Sequence, residues 1–332
     1  MTATDDTMLA AYVTELGGPD VIRIGALPVP RTGPTELLVE VDAVAASRVD
    51  AFVRSGWYAT PTPFPFIVGR DLVGTVRHVG VGVTSFTEGD RVWCNSLGHD
   101  GRQGAFAQFA AVPVERAYRL PDDADPRTTV AVAQPAATAY LAWFVHGDLR
   151  PGQTVYVGGA AGNVGRAAVQ IAYAAGARVI AGARTVDHDA CLADGADAAI
   201  EYDPAHLVDR LAEVAPDNVD VYWNTSVDQD LDVAIRVMRP GGRVIVAAGD
   251  PAVTVPVRQM YMTDVSVHGF VISRASAADL AGAAALINRM VPAGSLTTNV
   301  TELLPLAATA DVHRRLEAGD VRGRIVLRPA MR

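Results

Sequence analysis

Residues 155–165 read Val-Tyr-Val-Gly-Gly-Ala-Ala-Gly-Asn-Val-Gly, and no other stretch restricts the fold as strongly. The apolar residues that open it suit a buried strand. The alanine-rich run 163–175 that follows suits a helix stopped by Gly176. Between them, Ala160-x-Gly162-x-x-Gly165 is a variant of the loop that binds dinucleotides. Small residues permit the tight turn, Gly162 lets the backbone approach a pyrophosphate, and Gly165 lets the helix pack close on the strand. Backbone N–H groups and the helix dipole then hold the phosphates, which adds Asn163 and Val164 to the candidate contacts. The plain alternative is a tight strand–helix turn without a ligand.

The next predicted strand, 178–181, runs on into Ala183 and Arg184. A site selective for NAD places a carboxylate here for the ribose 2′-hydroxyl. Ala183 stands at that place, and the guanidinium of Arg184 can pair with a 2′-phosphate. NADPH is therefore expected in preference to NADH, with Tyr202 and His188 as further contacts. Asp187 and Asp189 oppose this reading, because they would repel a phosphate.

Strands and helices alternate from about residue 130 onward. Strands are expected at 154–157, 178–181, 198–200, 219–223, 243–247, 265–272 and 324–327, and helices at 128–146, 163–175, 187–193 and 275–290. Such alternation means βαβ units and a parallel sheet. Before residue 130, short predicted strands at 37–44, 72–79, 91–94 and 106–112 are separated by Gly and Pro, which suggests a partly open β-barrel.

A chain of 332 residues exceeds one typical domain, and half of its residues are hydrophobic, enough for a sizeable core. The formal net charge of −9 argues against nucleic acid as a partner. Two cysteines, Cys94 and Cys191, exclude a disulfide framework and a cysteine-rich metal site. Residues 1–8 show neither a basic nor an apolar signal region, and no apolar run reaches membrane-spanning length, so a cytoplasmic protein without a membrane partner is expected.

Further motifs are Gly17-Gly18-Pro19, residues 49–58 (Val-Asp-Ala-Phe-Val-Arg-Ser-Gly-Trp-Tyr), residues 69–74 (Gly-Arg-Asp-Leu-Val-Gly), residues 88–92 (Glu-Gly-Asp-Arg-Val) and residues 136–140. With the glycine loop, they make the chain resemble the medium-chain dehydrogenase/reductase superfamily from about residue 8 to 327. Within it, the chain is similar to the zinc-independent, ζ-crystallin-like quinone oxidoreductases. The resemblance implies an α/β fold: a GroES-like, partly open β-barrel domain (8–130 with 273–332) and a doubly wound Rossmann domain of six strands (131–272). It also implies an active site in the cleft between them and a homodimer paired through strand 265–272. Thr138 would lie against the nicotinamide. Asn224, Ala248, Gly249 and Phe270, at or beyond the ends of Rossmann strands, complete the expected cofactor set.

The departures carry information. In zinc-dependent relatives a Cys and a His hold the metal; those positions fall on Ser47 and Arg70, and no four-cysteine lobe follows Cys94. Zinc prefers thiolate, imidazole or carboxylate, so no metal is expected. His78, His99, His146 and His268 read as structural. Quinone reductases of this type often carry Asn and Tyr where this chain has Ser47 and Phe52, while a second Tyr is retained as Tyr58.

The implied reaction is hydride transfer from NADPH to a quinone or to the β-carbon of an enone. Donors at the developing oxyanion would be Tyr58, Ser47 and Arg54, or Arg48 in place of the latter. Asp50 buttresses the loop, and water can supply the proton. Trp57, Phe64, Phe66 and Trp93 either line an apolar pocket or belong to the core. One rival is an enoyl-thioester reductase for acyl-CoA or acyl-carrier substrates, which needs a basic entrance, and Arg102, Arg116 and Arg127 are too scattered to claim one. A rival of another class is an NADPH-binding structural or nucleic-acid-binding protein with little catalysis.

Overall fold

The computed structural model describes residues 7–249 and 252–329. Of residues 1–8, on which the expectation of a signal-free start rests, 1–6 lie outside the described residues. The chain divides into two compact units. One runs to Gln134 and resumes at Leu280, and the other is Pro135–Asp279.

The first unit is built on the strand Glu36–Ala45, whose residues alternate between buried and half-buried until its last turns. It pairs antiparallel with Asp71–Val79, Phe109–Pro113 and the C-terminal strand Arg324–Arg328. Val300–Pro305 extends the sheet at one edge, and Arg91–Cys94 followed by Tyr118–Arg119 at the other. A three-stranded sheet, Arg23–Pro28, Thr7–Val13 and Phe66–Ile67, covers part of the core. Leu37, Val39, Leu72, Phe106 and Leu327 are wholly buried there. Each such side chain contributes roughly 1.5–3 kcal/mol over leaving it in water. The strand expected from 106 starts only at Phe109. Phe106 is drawn to the smaller sheet instead, donating its N–H to Val68 O (3.0 Å) and accepting from Ala11 N (2.8 Å).

The second unit holds a six-stranded parallel sheet, in the order Ala198–Glu201, Arg178–Ala183, Thr154–Gly158, Val219–Asn224, Met238–Val246, Ser266–Gly269. Numbered along this unit, the order is 3-2-1-4-5-6, that of a doubly wound dinucleotide-binding fold. Val155, Tyr156, Val157, Val179, Ile180 and Ala181 have no exposed surface. A parallel sheet covered on both faces requires such continuous apolar runs.

Three further elements differ from expectation. The strand expected from 243 begins at Met238, where a register shift against Val219–Asn224 absorbs Pro240-Gly241-Gly242. The strand expected over 265–272 covers only Ser266–Gly269, because Phe270 leaves it and stacks on His146 at 4.7 Å. The helix expected over 128–146 is an α-helix, Pro126–Tyr140, followed by a wider-turned π stretch, Leu141–His146. Such π segments recur beside functional sites.

Candidate active site

In the second unit, the strand Thr154–Gly158 delivers the chain to the glycine loop, and the helix Asn163–Ala174 leaves it. Ala160 N donates to Gly182 O (3.1 Å), tying the loop to the neighbouring strand, and Gly162 N donates to Gly159 O (2.9 Å), closing the turn. A Cβ added at Gly165 would stand 2.7 Å from Ala160 Cα, so only glycine lets the helix pack there. A Cβ at Gly162 would meet nothing within 4 Å except Gly159 O at 3.2 Å. The open side of Gly162 is therefore a cradle that any side chain would fill, and the helix start lies beside it. These features fit a pyrophosphate.

The parallel register puts the remaining cofactor candidates along the same carboxyl edge of the sheet. Gly158 is level with Gly182 and Asn224, and Val246 with Gly269. Tyr202 N donates to Ala183 O (2.9 Å), and Asn224 Nδ2 donates to Tyr202 Oη (3.2 Å). Both line a cavity of about 190 Å³ together with Tyr222, Asp228, Gln229 and Val233. Gln229 Nε2 donates to Asn224 O (3.1 Å), and its side chain approaches Gly249, next to Ala248. Thr138, on the helix Pro126–Tyr140 just ahead of the π stretch, is buried. Phe270 stacks on His146 and helps to line a second cavity of about 550 Å³ with Leu141, Val145 and Val271.

Arg184 extends into solvent, 56% exposed, and both Nε (2.9 Å) and Nη2 (2.5 Å) donate to Asp187 Oδ2. The carboxylate expected to repel a 2′-phosphate thus already holds the guanidinium. Glu201 accepts from Thr185 N (2.7 Å) and from the Thr185 hydroxyl, and these bonds keep its carboxyl below the usual range.

The candidate donors to substrate lie in the first unit. Ser47 precedes the helix Arg48–Ser55, and Asp50 Oδ2 accepts both Ser47 N–H (2.8 Å) and Ser47 Oγ–H (3.1 Å). Asp50 therefore buttresses the loop, and the Ser47 hydroxyl proton is committed to it. Burial pushes the Asp50 carboxyl up to about 6. Arg54 is buried and ion-paired with Glu317, which ties its helix to the helix Thr309–Ala318. Tyr58 is half-buried and stacks on His99, with ring centroids 5.5 Å apart. Arg70, 2% exposed, is within electrostatic reach of Tyr58, Asp50 and Asp71, and its Nε and Nη1 have no hydrogen-bond partner among the described residues. Phe66 and Trp93 belong to the core, whereas Trp57 and Phe64 face solvent, so these four aromatics do not share one pocket.

Residues 163–289 match the family described as zinc-binding dehydrogenase, and residues 33–122 match the alcohol dehydrogenase GroES-like domain. A solved NAD-dependent alcohol dehydrogenase is 30% identical, with 97% of this chain and 99% of that one covered and a TM-score of 0.87. The chain belongs to the medium-chain dehydrogenase/reductase superfamily. Within the superfamily it falls in the quinone oxidoreductase family and is an oxidoreductase. The quinone oxidoreductase of Rattus norvegicus is 29% identical over 309 residues, covering 92% of this chain and 93% of its own. A mycobacterial protein solved in complex with NADPH is 28% identical with a TM-score of 0.83, covering 97% of this chain and all of that one. The two domains of the superfamily, GroES-like and Rossmann, are those described above. The resemblance puts two zinc-ligand positions on Ser47 and Arg70, neither of which is a usual zinc ligand, and among the described residues no group of three or more His, Cys, Asp or Glu is placed to hold a metal ion.

Of the three arginines read as too scattered for a basic entrance, Arg102 and Arg116 both act electrostatically on His99. No helix among the described residues is long and apolar enough to cross a membrane.

Proposed function

We propose that this chain is an NADPH-dependent, zinc-independent reductase that transfers hydride to a quinone or an α,β-unsaturated carbonyl compound. One observation carries this reading: the glycine loop is shut at Gly165 and open at Gly162, beside the start of a twelve-residue helix. When bound, the nicotinamide cofactor supplies the hydride.

The chain binds, orients and polarises. Gly162 and the first turn of its helix, through Asn163 and Val164, take the pyrophosphate. Tyr202 and Asn224, already bonded to each other, form the wall of an adenosine-side cavity, backed by Ala248 and Gly249. Arg184 takes a 2′-phosphate by exchanging its partner Asp187 for a stronger anion. Thr138 and Phe270 flank the nicotinamide end. Tyr58 is the preferred donor to the substrate oxygen, because Ser47 is committed to Asp50 and Arg54 is buried against Glu317.

The last strand, Ser266–Gly269, has no partner on its outer edge among the described residues, which supports pairing with a second copy into a homodimer. The cytoplasm suits a protein with two free, buried thiols.

Reduction of a small enone with NADPH deuterated at C4 tests the proposal. Mass and NMR analysis should find one deuterium on the β-carbon of the product. Deuterium lost to water, or found only on exchangeable positions, contradicts hydride transfer.

A further inference from the structure

Gly158 and Gly159 precede the glycines that shape the phosphate cradle, and they lack side chains for another reason. A Cβ on Gly158 would stand 2.8 Å from Asn224 Oδ1, and one on Gly159, at φ +68°, would stand 2.7 Å from Thr225 Oγ1. The chain at the end of the neighbouring strand Val219–Asn224 therefore lays its side chains on the backbone of the loop. Thr225 makes the firmer contact. Its N–H donates to Gly158 O (3.0 Å), and its hydroxyl donates to Gly158 O (2.8 Å) and, in a longer shared bond, to Gly159 O (3.4 Å).

The hydroxyl is itself held in place. Ser226 N donates to Asn224 Oδ1 (3.1 Å), and Gln229 Nε2 donates to Asn224 O (3.1 Å) and Ser226 O (2.7 Å), so the turn that carries Thr225 is bonded to itself. The peptide that follows Gly159 is thereby fixed at both ends. Its oxygen accepts from Thr225 Oγ1 and from Gly162 N (2.9 Å), and its N–H, that of Ala160, donates to Gly182 O (3.1 Å). A peptide next to glycine can turn over with little steric resistance. Turned over, this one would lose the bond that closes the loop at Gly162, and the N–H groups at the helix start would no longer be set to receive a phosphate.

We propose that Thr225 is a positioning residue for the cofactor: its hydroxyl locks the Gly159 peptide and so keeps the pyrophosphate cradle at Gly162 in its binding shape. This rests on the nicotinamide-cofactor reading above and adds to it a residue outside the glycine loop. Thr225 acts through the backbone of Gly158 and Gly159 rather than on the cofactor itself. The pyrophosphate is common to NADPH and NADH, so the effect of Thr225 is the same on both, whereas that of Arg184 is confined to the 2′-phosphate.

The test titrates the full-length protein, Thr225→Val and Thr225→Ser with NADPH and with NADH by fluorescence, well below the melting temperature of each, so that a loss of stability alone does not move the result. Valine keeps the shape and loses the hydroxyl; serine keeps the hydroxyl. Thr225→Val should bind both cofactors about five- to tenfold more weakly, the scale of one neutral hydrogen bond, and Thr225→Ser should stay within about twofold of the native protein. Should Thr225→Val fail to fold, Thr225→Ala is compared with Thr225→Ser in its place. Native affinity in Thr225→Val overturns the positioning role and leaves the cofactor reading intact. An equal loss in Thr225→Ser also overturns it, because the contact is then one of packing, and so does a loss for NADPH alone, which moves the effect to the 2′-phosphate. Native protein that binds neither NADPH nor NADH removes the cofactor reading and the role of Thr225 with it.

Discussion

Gly165 packs so closely against Ala160 that a Cβ on the glycine would lie 2.7 Å from the alanine Cα. Three residues earlier, a Cβ on Gly162 would meet only Gly159 O, at 3.2 Å. The two positions should therefore fail differently. Gly165→Ala must push backbone against backbone, and a loss of roughly 1–3 kcal/mol of stability is expected, with weakened cofactor binding as a consequence. Gly162→Val should melt close to the native protein yet bind NADPH at least about tenfold more weakly, because its side chain occupies the phosphate cradle. Thermal melts and fluorescence titration of both variants separate the two effects.

Arg184 and Asp187 form a solvent-exposed pair, and such a pair adds little stability of its own. Its consequence is for selectivity. Asp187→Asn should release the guanidinium and shift the NADPH-to-NADH affinity ratio toward NADPH. Arg184→Ala should shift it toward NADH by about tenfold, the scale of one charge-assisted bond. Titration with both cofactors checks the two signs together. Equal ratios in all three proteins would remove Arg184 from the site.

Tyr58→Phe keeps the ring on His99 and deletes only the hydroxyl. Removal of one donor at a developing oxyanion should lower kcat/KM for a quinone by roughly 10–1000-fold, with NADPH affinity unaltered. Unchanged kcat/KM would place the oxyanion donor elsewhere.

His313 is fully buried, meets Phe106 edge-on at 6.3 Å, and is pushed down to about 3 by burial and by the charge of Arg54. Below about pH 6.5 the unfolded chain takes up a proton at this residue and the folded chain does not. Stability is thus present above that pH and lost as pH falls toward 3. Between pH 7 and 5 this residue alone should remove about 2 kcal/mol. Urea unfolding of the native protein and of His313→Gln at both pH values checks it: the native protein should lose more on acidification. Parallel losses would contradict the shift.

Much of the second unit was legible because its signals are local. The glycine loop lies within eleven consecutive residues, and the buried parallel strands read as apolar runs. Where local signals mislead, tertiary pairing wins. Pro240-Gly241-Gly242 looks like a turn but is carried within a strand, and Phe270 reads as strand but turns onto His146. The helix Arg48–Ser55 is only eight residues long and carries its signal in the Ser47–Asp50 pair rather than in an apolar period. The stacking of Tyr58 on His99 was illegible, because it depends on a loop folding back over some forty residues of chain, which no spacing declares.

The most direct measurement of the central claim follows absorbance of the reduced nicotinamide with 1,4-benzoquinone or 9,10-phenanthrenequinone as acceptor. NADPH and NADH are offered separately to protein whose zinc content has been determined. The account predicts faster oxidation of NADPH than of NADH by zinc-free protein. Turnover that requires zinc, or a clear preference for NADH, would contradict it.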